Sequence, residues 1–426
     1  MSSSNHEDAT RVDHALQAIL SSVTPIHQLE WLPILDASGR VLAQDVVAPE
    51  NLPARPVSAM DGYALHSERA GSDQGRGKAD VLELAISGKS LAGRQLEGKA
   101  EPYGAVRIFT GAVVPDCYNC VVPQEYVTTP SEGRIAIRQD DIRSGLHVRQ
   151  VGEDVRKGDV LIASGQQLCS REIALLAQTG CARVNVYRQL KVAVVSVGDE
   201  LRDVHQPLYT GLIHDSNRLM LLDLVRRAGA QPIDLGITPD DPTSLRSALK
   251  HAANVADMVI SSGGVSVGEA DHTRKVLREL GEIKFWRLAI KPGRPLAYGL
   301  LQTELEAATP FFGLPGNPVA SFVSFLALVR HAIGKRAGNV RPSIQPTIRA
   351  KLVKATRKQI GRTEFLRCWL KRDEAGHWLA EVMPSQGAAN LFSLTQADGL
   401  VVLPHDLDAL KLESWVDVID LKNNNL

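Results

Sequence analysis

The sequence predicts an α/β multidomain protein built around a doubly wound, mostly parallel sheet. Three observations predict it. Residues 190 to 335 alternate apolar strands with amphipathic helices of the length expected for βα units. The first of these strands, KVAVVSVG from Lys191, is continuously apolar, as a parallel strand buried on both faces must be. On either side, from about 40 to 150 and from about 337 onward, short alternating runs broken by Gly, Pro and Asp read as β-rich units. At 426 residues the chain is also too long for one compact core.

Residues 8 to 22 carry Val12, Ala15, Leu16, Ile19 and Leu20 at helical spacing and read as one amphipathic helix. The runs VLELAIS, AVRIFTG, CVVPQEYV and GRIAIRQ follow as strands, and REIALLAQTG as a helix within residues 150 to 186. After KVAVVSVG comes the helix SNRLMLLDLVRRAG, with Ser216 or Asn217 as its cap and Gly229 as its stop. The strand QPIDLGI leads to the helix DPTSLRSALKHAANVA, where Pro242 suits the first helical position. The strand DMVISSG leads to the helix DHTRKVLREL, and FWRLAI and PFFGL lead to a last helix from Pro318. TIRAKLV, EFLRCWLKR, HWLAEVM and GLVVLP read as strands of a small C-terminal β domain.

Forty-eight basic and 48 acidic side chains leave no formal net charge, which argues against a surface that coats a polyanion, so no nucleic-acid partner is expected. The N-terminus lacks the basic and apolar regions of a secretory signal. The longest largely apolar run, around Ala320 to Val329, is too short to span a bilayer, so no membrane partner is expected. Five cysteines make no disulfide framework, and Cys117 and Cys120 form a single C-x-x-C without the context of a zinc or thioredoxin motif. A reduced, cytoplasmic protein is expected.

Ligands of a doubly wound sheet bind beyond the carboxyl ends of its strands. Five such ends carry candidate groups: Asp199 and Glu200; Asp240 and Asp241; Ser261, Ser262, Gly263, Gly264, Glu269 and Asp271; Lys291 and Arg294; Pro315, Gly316 and Asn317. Each alone has a plainer reading. SGG is a turn, DDP a helix cap, GDEL a solvated turn, GLPGNP strand-turn-helix punctuation and His272 a capping or surface residue. Together they predict a rim with glycines and cations suited to anions, Arg287 among them, and carboxylates that require a divalent cation beside a phosphate. Mg²⁺ suits such oxygen ligands. Two further loops, SAMDGYAL with Asp61 and RIFTGAVVP with Thr110, have ordinary turns as their plainer reading, an Asp-Gly hairpin in the first case.

SAMDGYAL, RIFTGAVVP, SVGDEL, SSGGVSVGEADHT, KPGRP and GLPGNPVAS occur in the order and at roughly the spacing of the MoeA family, to which the gephyrin E domain belongs. The chain resembles that family from about residue 8 to its end. The resemblance implies a molybdopterin-binding α/β domain at 187–336 and an elongated mixed α+β domain made of 8–52 plus 150–186. It further implies a β-rich domain at 53–149 and a small C-terminal β-barrel domain at 337–424. It implies a molybdopterin molybdotransferase that inserts molybdate into the dithiolene of adenylylated molybdopterin and releases AMP, with Mg²⁺ or a similar divalent cation. The implied homodimer shares each active site between subunits, with transient contacts to the molybdopterin adenylyltransferase and to molybdoenzymes.

By resemblance, Asp61, Thr110, Glu200, Asp240, Asp271 and Lys291 are the catalytic candidates, Glu200 and Asp271 holding the metal. Ser262, Gly263, Gly264, Arg287, Arg294, Pro315, Gly316, Asn317 and Asp154 are the substrate-binding candidates. Arg287 stands where related chains commonly carry lysine, and Arg294 makes KPGRP of KPGKP. Arginine keeps the charge but holds an oxyanion through a planar fork. A gephyrin-like scaffold and a molybdopterin adenylyltransferase are the alternative readings.

Overall fold

The computed structural model describes residues 9–68, 81–265, 270–303, 308–340 and 347–422. The chain forms two compact units, one of Met1–Gln44, Ser164–Cys169 and Arg183–Leu426, the other of Asp45–Ala163 and Ser170–Ala182.

The larger unit contains the doubly wound sheet. Its strands are β1 (Lys191–Val197), β2 (Gln231–Thr238), β3 (Met258–Ser262), β4 (Gly281–Arg287), β5 (Pro295–Leu301) and β6 (Thr309–Leu314), in the order β2-β1-β3-β6-β5-β4. Neighbours among β2, β1, β3 and β6 are parallel. β5 is antiparallel to both β6 and β4, so β4 runs with the parallel majority. β5 has no counterpart among the strands expected from the sequence. It lies between two strands and is buried along most of its length, so it lacks the polar alternation that marks a half-exposed strand. The expected strand FWRLAI ends at Arg287, and Ile290–Lys291 leaves this sheet to pair with Thr363–Arg372.

Among the described residues the sheet is covered by α1 (Ser216–Arg227), α2 (Pro242–Val255), α3 (Ala270–Leu280) and α4 (Pro318–Ser324), together with the N-terminal helix Val12–Ser22. α4 continues through a π turn at Phe325–Val329 into Arg330–Arg336. β1 alternates between two cores. Val192 and Val194 pack with Leu221, Val225, Val323 and the N-terminal helix residues Ala15 and Ile19. Ala193 and Val197 pack with Leu249, Ala252, Val276 and Leu277 of α2 and α3. At about 1.5–3 kcal/mol for each large apolar side chain fully buried, these two cores hold the strand ends in place. No helix among the described residues is long and apolar enough to cross a membrane.

In the same unit, Thr347–Leu352, Thr363–Arg372, Trp378–Val382, Gly399–Leu403 and Trp415–Asp420 close into a five-stranded barrel. Four of these strands were expected; Trp415–Asp420 was not. The smaller unit holds a sheet with the order Cys120–Pro123, Gly62–Leu65, Ala105–Ile108, Val81–Ser90, Arg134–Arg138 and Val127–Ser131. Gly62 is not the turn residue of a hairpin. It opens a strand flanked on both sides, where an added Cβ would lie 2.0 Å from the Val122 carbonyl oxygen.

Asp215, rather than Ser216 or Asn217, caps α1 by accepting a hydrogen bond from the Arg218 N–H at 3.1 Å. The Arg218 guanidinium then donates to Asp215 at 3.0 Å, Asp203 at 2.7 Å and Asp234 at 2.5 Å. Arg218 and Asp215 are almost fully buried, at 6% and 1% side-chain exposure. Replacing Arg218 by Met leaves the Asp215 charge uncompensated and is expected to cost about 3–5 kcal/mol, read as a lowered urea midpoint. Arg218→Lys recovers only part of that loss, because one ammonium lacks the fork that reaches three carboxylates.

Candidate active site

The carboxyl ends of β1, β2, β3 and β6 lie along one edge of the sheet and are joined by hydrogen bonds. The Gly198 N–H donates to the Thr238 carbonyl at 3.2 Å, and the Asp240 N–H to Asp199 Oδ1 at 3.2 Å. The Gly263 N–H donates to the Leu314 carbonyl at 3.1 Å. Asn217 Nδ2 donates to Ser262 Oγ and to the Gly316 carbonyl, each at 2.8 Å, so α1 clamps the ends of β3 and β6 together. Asn217 is therefore a site residue rather than a cap. It is the second residue of α1, and its Oδ1 is buried and has no partner among the described residues. Its signal in the sequence was an asparagine at the start of the helix that follows the first rim loop.

The Gly263 N–H is thus engaged within the fold and is not the anion donor expected of it. Its glycine requirement is steric: at φ +83° an added Cβ would lie 2.4 Å from the Val197 carbonyl oxygen. Gly264, at φ +71°, lies against the Val197 side chain and Thr273. Ser261 and Ser262 are buried. Glu200 is exposed, with its carboxylate beside Gly198, where an added Cβ would meet Oε2 at 2.5 Å.

Asp240 and Asp199 are exposed, and Asp241 is spent on capping α2 through the Thr243 and Ser244 N–H groups at 2.9 Å. Asn317 occupies the cap position of α4 ahead of Pro318 but makes no side-chain capping bond, and it is exposed beside Gly316. Pro315 is buried behind them. Glu269 lies outside the described residues. Asp271 is the second residue of α3, and its side chain and that of His272 also lie outside them. Among the described residues no three His, Cys, Asp or Glu side chains converge as a metal site.

The fifth strand end reaches this rim indirectly. The Leu288 N–H and the Arg294 carbonyl close the KPGRP loop at 2.9 Å. Its Gly293 packs on α4, 2.9 Å from Ser324 Oγ measured from an added Cβ. Lys291 is half-exposed and donates to the buried Glu364 of the barrel at 3.2 Å. Glu364 fixes the direction of the ammonium while other N–H groups face outward. No local sequence signal links residue 364 to this loop. Arg287 is half-buried at the end of β4 and accepts, through its carbonyl, the Thr10 N–H at 3.0 Å.

In the smaller unit the two anomalous loops meet. Asp61 Oδ1 accepts both the Thr110 N–H and the Thr110 hydroxyl at 2.7 Å. The Thr110 N–H first, then its hydroxyl, hold the exposed Asp61 carboxyl below the ordinary aspartate range, with a contribution from the Arg107 charge. Two ordinary turns do not describe this arrangement. Asp154 is exposed, paired with Arg149, and donates its N–H to the Leu52 carbonyl at 2.9 Å. Cys117 and Cys120 are not joined by a disulfide, and burial pushes the Cys120 thiol up to about 12, which removes the thiolate a redox pair needs.

Residues 10–180 match the MoeA N-terminal region (domain I and II), 193–335 a probable molybdopterin binding domain, and 349–421 the MoeA C-terminal region (domain IV). The chain belongs to the MoeA family. A molybdopterin molybdenumtransferase of Haemophilus influenzae is 38% identical over 395 residues, covering 93% of this chain and 94% of that one. A crystal structure titled as a molybdopterin biosynthesis MoeA protein from Pyrococcus horikoshii is 30% identical, with a TM-score of 0.78 over 98% of this chain and all of that one. A gephyrin of Dictyostelium discoideum is 30% identical over 96% of this chain and 62% of its own. The MoeA chain thus has the expected fold class, an α/β multidomain protein with a doubly wound sheet and a closed C-terminal barrel.

Because the Asp61 carboxylate is favoured in the fold, its hydrogen bonds stabilise the protein above the ordinary aspartate range and are lost as pH falls through the lowered value. Thr110→Val removes the hydroxyl donor and keeps the N–H. Carbon-13 NMR of the Asp61 carboxyl is expected to show its midpoint moving up toward the ordinary value without reaching it.

Proposed function

We propose that this chain is a molybdopterin molybdenumtransferase of molybdenum cofactor biosynthesis. On this reading it inserts molybdate into the dithiolene of adenylylated molybdopterin and releases AMP. The observation that carries the reading is the tied rim: four strand ends held by Asn217, Gly263 and Asp199, with exposed carboxylates at the ends of β1 and β2.

The donor chemistry fits a hard cation, since Glu200 presents an exposed carboxylate next to Asp199 and Asp240. A Mg²⁺ ion held by Glu200 and Asp271 would offset the charge of the scissile phosphoanhydride. Lys291 and Arg294 supply positive charge to the oxyanions, Arg287 adding to it. Asn317 and Gly316 lie at the start of α4, where a helix N-terminus favours an anion. Ser262, oriented by Asn217, and Gly264 border the same space, and Asp240 and Pro315 complete it. Asp61, kept ionised by Thr110, acts as an acceptor at a site formed with the rim of a second subunit, and Asp154 is assigned a substrate contact.

The same proposal takes the chain as a cytoplasmic homodimer with four domains, 8–52 plus 150–186, 53–149, 187–336 and 337–424. Its transient partners would be the molybdopterin adenylyltransferase and molybdoenzymes, without nucleic acid or membrane.

Purified chain given adenylylated molybdopterin, molybdate and Mg²⁺ is expected to release AMP without consuming ATP, which separates it from an adenylyltransferase. Asp271→Asn and Asp61→Asn should each abolish release while leaving the thermal transition nearly unchanged. Mixed one to one, the two inactive variants should recover about a quarter of wild-type activity. Half the dimers are then mixed, and each carries one intact site of two. No recovery from demonstrated mixed dimers would count against the shared site; AMP release by Asp271→Asn would count against its role.

A further inference from the structure

A second concave site lies at the opposite edge of the same sheet, before the start of β1. A small cleft of about 90 Å³ is lined by Arg40, Arg188, Arg227 and Arg330 together with residues at the ends of α1 and the last helix. Among the described lining residues there is no acid.

Three of the four guanidiniums are compensated from behind. Arg40 donates to Glu30 at 2.5 Å, Arg188 to both oxygens of Asp257 at 2.7 and 3.1 Å, and Arg227 to Asp223 at 2.6 Å. Arg330 has no such partner among the described residues, and its Nη1 is buried without a hydrogen bond to any of them. Arg336, close behind, also has a buried Nε without a partner, and it shares the field of Asp257 with Arg188. Burial disfavours the charge on both Arg330 and Arg336, yet a guanidinium does not lose its proton.

α1 and the last helix both end at the cleft, and their C-terminal carbonyls oppose an anion. Each helix end carries about half a negative charge, so together they offset roughly one of the two surplus cations. The balance remains positive by about one charge.

We propose that this cleft is a binding site for a small metabolite bearing a phosphate or carboxylate oxyanion, seated against Arg330. Guanidiniums bind both groups through paired N–H donors. The site is separate from the rim, since it lies at the amino ends of the strands whose carboxyl ends form the rim.

The test is hydrogen–deuterium exchange of the full chain with inorganic phosphate or acetate against chloride at equal ionic strength. With a saturating anion, peptides covering residues 226–230 and 334–340 are expected to exchange about tenfold more slowly, and Arg330→Met is expected to lose that effect. Protection by phosphate alone supports a phosphate ligand, and protection by both anions supports a shared oxyanion site. No protection of these peptides in the wild type, or equal protection in Arg330→Met, overturns the proposal. Should the variant not fold, labelling of wild-type Arg330 by phenylglyoxal decides instead. Slowing by phosphate supports the site and unchanged labelling overturns it.

Discussion

The rim depends on how closely three strand ends approach at Gly263. Its N–H is bound by the Leu314 carbonyl, and the Val197 carbonyl occupies the place of a side chain. Gly316 comes within 3.9 Å of the same Cα, measured from its own added Cβ. Any side chain at 263 would push β1 and β6 apart, and with them Glu200 on one strand end and Asn317 on the other. Asn217 locks the arrangement from the helix side, because one carboxamide nitrogen holds both Ser262 and Gly316. A buried donor with two acceptors at good distance is costly to replace, since either acceptor left alone loses its partner in a dry site.

The acids near this edge divide by what they touch. Asp215 is consumed by capping and by Arg218, and Asp203 and Asp234 by the same guanidinium. Asp241 is consumed by the first turn of α2. Glu200 makes no hydrogen bond through its carboxylate to the described residues and faces solvent over Gly198. It thus differs from the acids whose oxygens the fold itself occupies, and this difference is what supports its proposed role as a ligand donor. Lys291 fits the same logic in the opposite sign. Its ammonium is anchored on one side by a buried carboxylate, which orients the charge without neutralising its outward face.

Much of the α/β unit was legible because its strands and helices differ in period and are punctuated by Asp, Gly and Pro at their ends. KVAVVSVG, DMVISSG and the Asp241–Pro242 start of α2 are of that kind. β5 was not legible, because a strand enclosed between neighbours has no polar alternation to read. The α1 cap was misplaced by one or two residues, since Asp, Ser and Asn are all good caps and stand in a row from 215 to 217. The convergence of strand ends followed from the parallel topology, but the clamps did not. Lys291 with Glu364 is a contact across 73 residues between a sheet loop and the barrel, and no local pattern encodes it.

The Asp61 loop differs from an ordinary turn in how its carboxylate is held. Arg107 is near enough to influence the carboxylate, but its donors go to the Gly62 carbonyl and Gln124, and its plane lies over Tyr63 and Phe109 at 4.9 Å. The guanidinium therefore organises the strands around Asp61 rather than pairing with it. Thr110 donates two hydrogen bonds to one carboxylate oxygen and so favours its charge. The second oxygen receives no bond from the described residues. A carboxylate held ionised by neutral donors, with a cation kept close but occupied elsewhere, keeps its charge without an ion pair, which is what the proposed acceptor role of Asp61 requires.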